Sequence, residues 1–176
     1  YASLVSGFLR SHAAEEPGAA EMLLKLNTSL CERPIEAQFV SMVYAVWEDD
    51  KRRLKVANSG LPLPIYVHKG QIEAVNATGL PLGLFPNAEY DEFTYHGHPG
   101  DLFVFFSDGI LEAQNAGGDM FGRKRLEQVV ARNAEASANS LVEAIFRAVS
   151  KHSVGVESFD DQTVVVLKVK EAGRRK

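Results

Sequence analysis

Two aspartates stand side by side in Ser158-Phe159-Asp160-Asp161-Gln162-Thr163, directly before the apolar run Val164-Val165-Val166-Leu167. Adjacent carboxylates repel and each resists leaving water, so a positive partner is expected beside them. Asp108 has a similar setting, closing Phe105-Phe106-Ser107-Asp108-Gly109 where a bulky apolar segment ends. Gly109 lets the backbone turn sharply and approach a ligand closely. If the two apolar segments are neighbouring antiparallel strands, the end of one meets the start of the other. Asp108 and Asp160 then reach the same rim of a sheet. Oxygen donors of this kind suit hard divalent cations, Mn²⁺ or Mg²⁺, which keep several waters. Two such ions roughly 3.5–4 Å apart can activate water and clamp a phosphoryl group. The same residues also fit plain structure: aspartate before glycine is a common turn, and Ser-Phe-Asp-Asp a common solvated loop.

Positioning these carboxylates requires a sheet, and the sequence supplies strands in the middle and at the end. Leu4, Val5, Phe8 and Leu9 recur at helical spacing. After Glu15-Glu16-Pro17-Gly18, a second helix is expected with Pro17 in its first turn and Ala20, Leu23, Leu24, Asn27 and Leu30 on one face. From Phe39 the texture turns β-rich. Residues 39–47 are apolar on both alternating faces, which predicts a buried strand; the polar turn of residues 48–53 returns it into Leu54–Asn58 as a hairpin. A second hairpin has Lys69-Gly70 at its tip. A short strand near Glu92–Tyr95, a turn at His98-Pro99-Gly100-Asp101 and the strand Leu102–Phe106 follow. Helices are expected from about Arg123 to Arg132 and from Leu141 to His152, the second opened by a Ser140–Glu143 capping box, before a last strand Thr163–Val169. This order reads as α+β: a mostly antiparallel sheet covered by helices. A receiver-like domain with Asp108 as phosphoacceptor would instead need alternating β/α units.

The 176 residues, 45% hydrophobic and 24% charged, fit one soluble globular domain over residues 1–170 with a polar tail at 171–176. A net charge of -4 leaves no electrostatic footprint for nucleic acid, and no segment has the length of a membrane span. The single cysteine, Cys31, suits a cytoplasmic location and reads as a small apolar residue. The chain opens without methionine, inside what reads as a helix, as a piece of a longer protein would.

Taken in order, FVSMVYAVW, LKVANSGLPLPIYV, GLPLGLF, PGDLFVFFSDGILEA, MFGRKRL and FDDQTVVVLKV resemble the SpoIIE/RsbU-type serine phosphatases of the metal-dependent (PPM) class. The resemblance runs from about Leu4 to Val169. Its most specific parts are SDG-x-x-E-A and DD-x-T-V-V-V, with FG-x-x-R-L between them. It implies a PPM-type antiparallel β-sandwich flanked by helices and N-terminally incomplete here. It places Asp108 and Asp160 on the family's metal-binding aspartates and Asp161 on the neighbouring position, with no catalytic residue assigned beyond these ligands. Glu112 and Ala113 match the motif without assigned chemistry, and Gly83, Gly100, Gly109 and Gly122 match structural turns. The implied cofactors are two Mn²⁺ or Mg²⁺ ions. The implied activity is hydrolysis of phosphoserine or phosphothreonine on a regulatory protein of the anti-sigma factor antagonist type. The family's first acidic motif, which bridges the metals, would lie upstream of Tyr1, so a complete two-metal centre is not expected within residues 1–176. Asn58-Ser59-Gly60-Leu61-Pro62 stands where the family commonly reads Ala-Gly-His-Pro, with Leu61 replacing the histidine. The rival reading is a non-catalytic phosphatase-like module that docks a partner.

The remaining polar residues read more plainly. His96 and His98 are expected as turn and rim residues rather than a metal pair, and His12, His68 and His152 as surface or edge residues. Arg52-Arg53 reads as a solvated turn. Arg123, Lys124 and Arg125 read as a solvated helix start that could attract an acidic partner. Phe103, Phe105 and Phe106 are core candidates. The Leu4, Val5, Phe8 face is a candidate contact for a regulatory domain or protein, because in the family the opening helix follows the first acidic motif directly.

Overall fold

The computed structural model describes residues 1–35 and 38–171. In chain order the elements are α1 (Ala2–Ala13), α2 (Ala19–Cys31), β1 (Met42–Glu48), β2 (Arg53–Ser59), β3 (Ile65–His68), β4 (Gln71–Ala74), β5 (Phe93–His96) and β6 (Leu102–Phe106). They continue with α3 (Asp108–Leu111), α4 (Gly122–Arg132), α5 (Ala138–His152) and β7 (Val164–Lys168). Beyond Glu171 the expected polar tail lies outside the described residues. The chain separates into two compact units: Tyr1–Leu63 with Asn76–Gly97, and Pro64–Val75 with the chain from His98 onward.

The first unit packs α1 and α2 over an antiparallel sheet of order β1-β2-β5. Val5, Met22, Leu23, Leu26, Leu30, Ala57 and Leu82 form its core, with Leu4 and Phe8 packed against it. Removing each large aliphatic side chain from water contributes about 1.5–3 kcal/mol. The apolar stripe of α1 is therefore occupied by its own core. Pro17 precedes the second helix instead of opening it: Gly18 is the N-cap, and with no side-chain cap the Glu92 carboxylate accepts from the Ala19 amide. An anion there satisfies an orphan donor and complements the helix dipole. Asn27, fully buried, donates to the Phe85 carbonyl and accepts from the Gly83 amide, both at 2.9 Å, tying a turn-rich loop to α2. The expected buried strand at residues 39–47 is instead half-buried and starts at Met42, paired with β2 among the described residues; Val40 makes an isolated bridge to Leu82.

The second unit has an antiparallel sheet of order β4-β3-β6-β7. Leu102, Val104 and Phe106 of β6 join Ile65 and Val67 of β3 and meet Leu126 and Val130 of α4 and Leu141, Ile145 and Val149 of α5. Phe103, also buried, stacks on Tyr66 with ring centroids 4.6 Å apart. The register Val104↔Val166 and Phe106↔Val164 makes β6 and β7 direct antiparallel neighbours. Lys168 near the end of β7 donates to the carbonyls of Ala134 and Ala136 at 2.9 and 2.7 Å, fastening the loop between α4 and α5. α5 begins earlier than expected. Its cap is Ser137, whose side chain accepts from the Ser140 amide at 3.1 Å, so Ser140 lies inside the helix and opens no capping box.

Candidate metal centre

At the end of β6 the chain turns at Ser107 into the single-turn helix α3, with Asp108 as its first residue. Ser107 ties the start of β7 to this turn. Its hydroxyl donates to the Asp161 carbonyl at 2.9 Å and accepts from the Thr163 amide at 2.9 Å, and its amide donates to the Thr163 carbonyl at 3.1 Å. A side chain on Gly109 would have its β-carbon 2.5 Å from the Asp161 carbonyl oxygen and 3.4 Å from the carbonyl carbon of Asp160. Only glycine fits that approach. The end of β6 and the Asp160-Asp161 turn are thus held backbone against backbone, and the antiparallel relation expected between the two apolar segments is present.

Asp108, Asp160 and Asp161 are exposed. One oxygen of Asp108 accepts from the Gly109 amide at 3.1 Å, and one of Asp160 from the Asp161 amide at 2.7 Å, so local backbone orients both carboxylates. Among the described residues, no Lys, Arg or His forms an ion pair with any of these three carboxylates. The positive partner that two adjacent carboxylates demand is therefore not supplied by the described residues. Open, oxygen-only donors beside a glycine-tight turn fit a hydrated Mn²⁺ or Mg²⁺. The three do not form a compact three-ligand set by themselves.

A shallow cleft adjoins the turn, lined by Gly109, Glu112, Ala113, Gln114, Met120, Ser158, Phe159 and Asp160. Glu112 thus brings a further carboxylate to the Asp160 side of the turn, a placement its motif match alone did not assign. Phe159 is 81% exposed and Met120 53% exposed, leaving an apolar rim. Lys124 and Arg125 are exposed, as expected, whereas Arg123 is half-buried. Arg123 pairs with Glu127 at 2.7 Å, and Arg125 donates to the carbonyls of Met120 and Phe121, both at 2.9 Å. These bonds fix the start of α4 below the cleft's Met120 edge.

Among the described residues, one group of three potential ligands has its donor atoms mutually within 4.8 Å, and the sequence did not point to it: His68, His98 and Asp101. His68 was expected as an edge residue and His98 as a turn residue beside His96. The turn is present, with the Asp101 amide donating to the His98 carbonyl at 3.0 Å. His96 instead lies in β5 opposite Arg53. Arg53 itself belongs to β2 and pairs with Glu48, so it is not part of a solvated turn. In the first unit, Asn58 of the Asn-Ser-Gly-Leu-Pro segment is 2% exposed. It donates to the carbonyls of Leu61 and Ala77 and accepts from the Leu61 amide, a structural clasp with no open chemistry.

The family model for stage II sporulation protein E (SpoIIE) matches residues 1–170. The chain belongs to the SpoIIE family. It is 28% identical over 153 residues to the phosphoserine phosphatase RsbU of Bacillus subtilis, covering 86% of this chain and 45% of RsbU. It is 27% identical over 109 residues to the stage II sporulation protein E of the same organism, covering 60% of this chain and 13% of that protein. The SpoIIE-type chain therefore spans less than half the length of these relatives. Among solved structures, the SiaA-PP2C domain of Pseudomonas aeruginosa superposes with a TM-score of 0.82 at 17% identity, covering 95% of this chain and 70% of that one. The PP2C phosphatase domain of SpoIIE from Bacillus subtilis, with a fragment of its regulatory domain, gives 0.76 at 17% identity, covering 95% and 49%. The expected PPM-type fold of antiparallel sheets and helices is the fold observed, and the SpoIIE/RsbU resemblance holds along the chain. Among the described residues no helix is long and apolar enough to cross a membrane.

Proposed function

We propose that the protein containing this domain is a phosphoprotein phosphatase dependent on Mn²⁺ or Mg²⁺, acting on phosphoserine or phosphothreonine of a regulatory protein of the anti-sigma factor antagonist type. The carrying observation is the Ser107–Asp161 clasp, which brings the Asp108 turn against the Asp160-Asp161 turn with no cation of the described residues paired to their carboxylates. Asp108 and Asp160 hold the metal ions, with Asp161 beside them. Bound there, such ions supply an activated water and offset the phosphoryl charge. The chain's own part is positional. Backbone amides of Gly109 and Asp161 fix the carboxylates, Ser107 locks the two turns in register, and Gly109 keeps side-chain bulk out of the approach.

Membership of the SpoIIE family and similarity to a relative named as a phosphoserine phosphatase support this reaction class. The exposed Phe159 and Met120 give the cleft an apolar rim of the kind that suits a folded protein substrate. A regulatory partner at α1 would act through the helix as a body, since its apolar stripe already packs in its own core.

The test is phosphate release from a phosphoserine protein by the full-length enzyme, with and without Mn²⁺, and in the Asp108→Asn and Asp160→Asn variants. Activity is expected only with metal and to fall at least a hundredfold in either variant, by an order-of-magnitude expectation for loss of a metal ligand. Turnover surviving in EDTA or in Asp108→Asn overturns the mechanism. A correctly folded full-length protein that binds the phosphoprotein without hydrolysing it identifies a docking module instead.

A further inference from the structure

We propose that His68, His98 and Asp101 form a second metal site, of the zinc class, separate from the acidic centre and independent of the phosphatase reading. Asp101 precedes β6 and Asp108 follows it, so the two sites lie at opposite ends of one strand, roughly 20 Å apart at the usual rise per residue.

The site is preorganised. The register Tyr66↔Phe103 and Val67↔Leu102 brings His68 beside Asp101. The turn carrying His98 is pinned to the other neighbouring strand, since the Gly100 amide donates to the Val169 carbonyl and the Val169 amide to the Asp101 carbonyl, at 2.9 and 2.8 Å. Asp101 is 2% exposed. Its Oδ2 accepts from the Tyr66 hydroxyl and the His98 amide, both at 2.9 Å, as metal-binding carboxylates are held by outer hydrogen bonds. Burial alone would raise its pKa, but hydrogen bonds from the His98 amide, His68 and Tyr66 outweigh that and lower it.

The three donor atoms lie mutually within 4.8 Å, so small side-chain rotations would gather them around one tetrahedral ion. His68 Nδ1 lies 2.9 Å from Asp101 Oδ1, and His98 Nδ1 lies 3.5 Å from Oδ2. Donors about 2.0–2.1 Å from a tetrahedral zinc are separated by about 3.3 Å. Two imidazoles and one carboxylate favour zinc-class metals over Mg²⁺, whose sites are built from oxygen. A metal takes the place of the proton between His68 and Asp101, which moves to Nε2 of the ring. The His98 side chain is 61% exposed and the space beside Gly100 is open, so the site can be entered from that side.

The experiment strips the full-length protein with chelator and titrates it with Zn²⁺, reading stoichiometry and thermal midpoint. The wild type is expected to bind one more ion than His68→Gln/His98→Ala, with affinity at this site falling at least ~100-fold in that variant. Asp108→Asn is expected to keep this ion. Zn²⁺ is expected to raise the melting midpoint of the wild type more than that of the single His98→Ala variant, whose altered side chain is mostly solvent-exposed. Equal zinc counts in wild type and double variant overturn the proposal. So does an equal zinc-induced midpoint shift in His98→Ala, or loss of the ion in Asp108→Asn alone.

Discussion

Gly109 and Asp161 are in backbone contact: a β-carbon on the glycine would sit 2.5 Å from the aspartate's carbonyl oxygen. Real β-carbons do not approach oxygen so closely, so Gly109→Ala must push the Asp160-Asp161 turn away from Asp108. The expected cost is about 1–3 kcal/mol of stability, as for other overpacked sites. Phosphatase activity is expected to fall more than tenfold, an order-of-magnitude figure for misplacing a reacting group by about an ångström. Activity and melting midpoint measured together check this; unchanged activity refutes the positional role of the contact.

Ser107→Ala removes the hydroxyl that accepts from the Thr163 amide and donates to the Asp161 carbonyl, both at 2.9 Å. About 1–2 kcal/mol of stability should be lost. The apparent Mn²⁺ affinity in the activity assay should weaken more than the substrate KM changes. A KM effect alone would assign Ser107 to substrate binding.

Asn27→Leu should cost about 2–4 kcal/mol, despite adding an apolar side chain to an apolar helix face, because the Gly83 amide and Phe85 carbonyl each lose a partner. Denaturant unfolding of the full-length protein measures it. A loss below about 0.5 kcal/mol would mean that both backbone groups find other partners.

Tyr90 carries a buried hydroxyl with no hydrogen-bond partner among the described residues. Burial first, and then the proximity of Cys31, push its pKa from 10.0 up to about 12. The fold favours the neutral phenol, so its contribution is fully present below pH 10 and is lost as pH rises towards about 12. Tyr90→Phe should be as stable as the wild type at pH 7, or more so by up to ~1 kcal/mol, and should flatten the alkaline decline. Tyr1, also raised by burial, leaves a smaller slope behind. Unfolding midpoints at pH 7 and across the alkaline range decide it.

Much of this architecture is legible in the residues alone. The tip at Lys69-Gly70 and the strand Leu102–Phe106 are where turn chemistry and a continuous apolar run place them. The adjacency of β6 and β7, on which the acidic turn depends, follows the expectation from Asp108 and Asp160. What escapes a linear reading is partnership across distance. β1 has apolar residues on both faces yet is only half-buried, since strand composition does not report what covers each face. Glu92 caps a helix 73 residues away, a partner that no local capping pattern can reveal. His68 and His98 look ordinary until the register of β3 on β6 sets them around Asp101. The metal roles proposed for Asp108, Asp160 and Asp161 rest on motif and geometry together.

The two compact units are interleaved along the polypeptide: the hairpin of β3 and β4 is translated before the loop and strand β5 that complete the first unit, and well before β6, its own neighbour. During synthesis this hairpin must wait, with Ile65 and Val67 unsheltered, until the ribosome has released β6 and the helices that cover them. Sequential domain-by-domain folding is closed to such a chain, and its slow, non-local closure is the stage at which chaperone dependence should be sought.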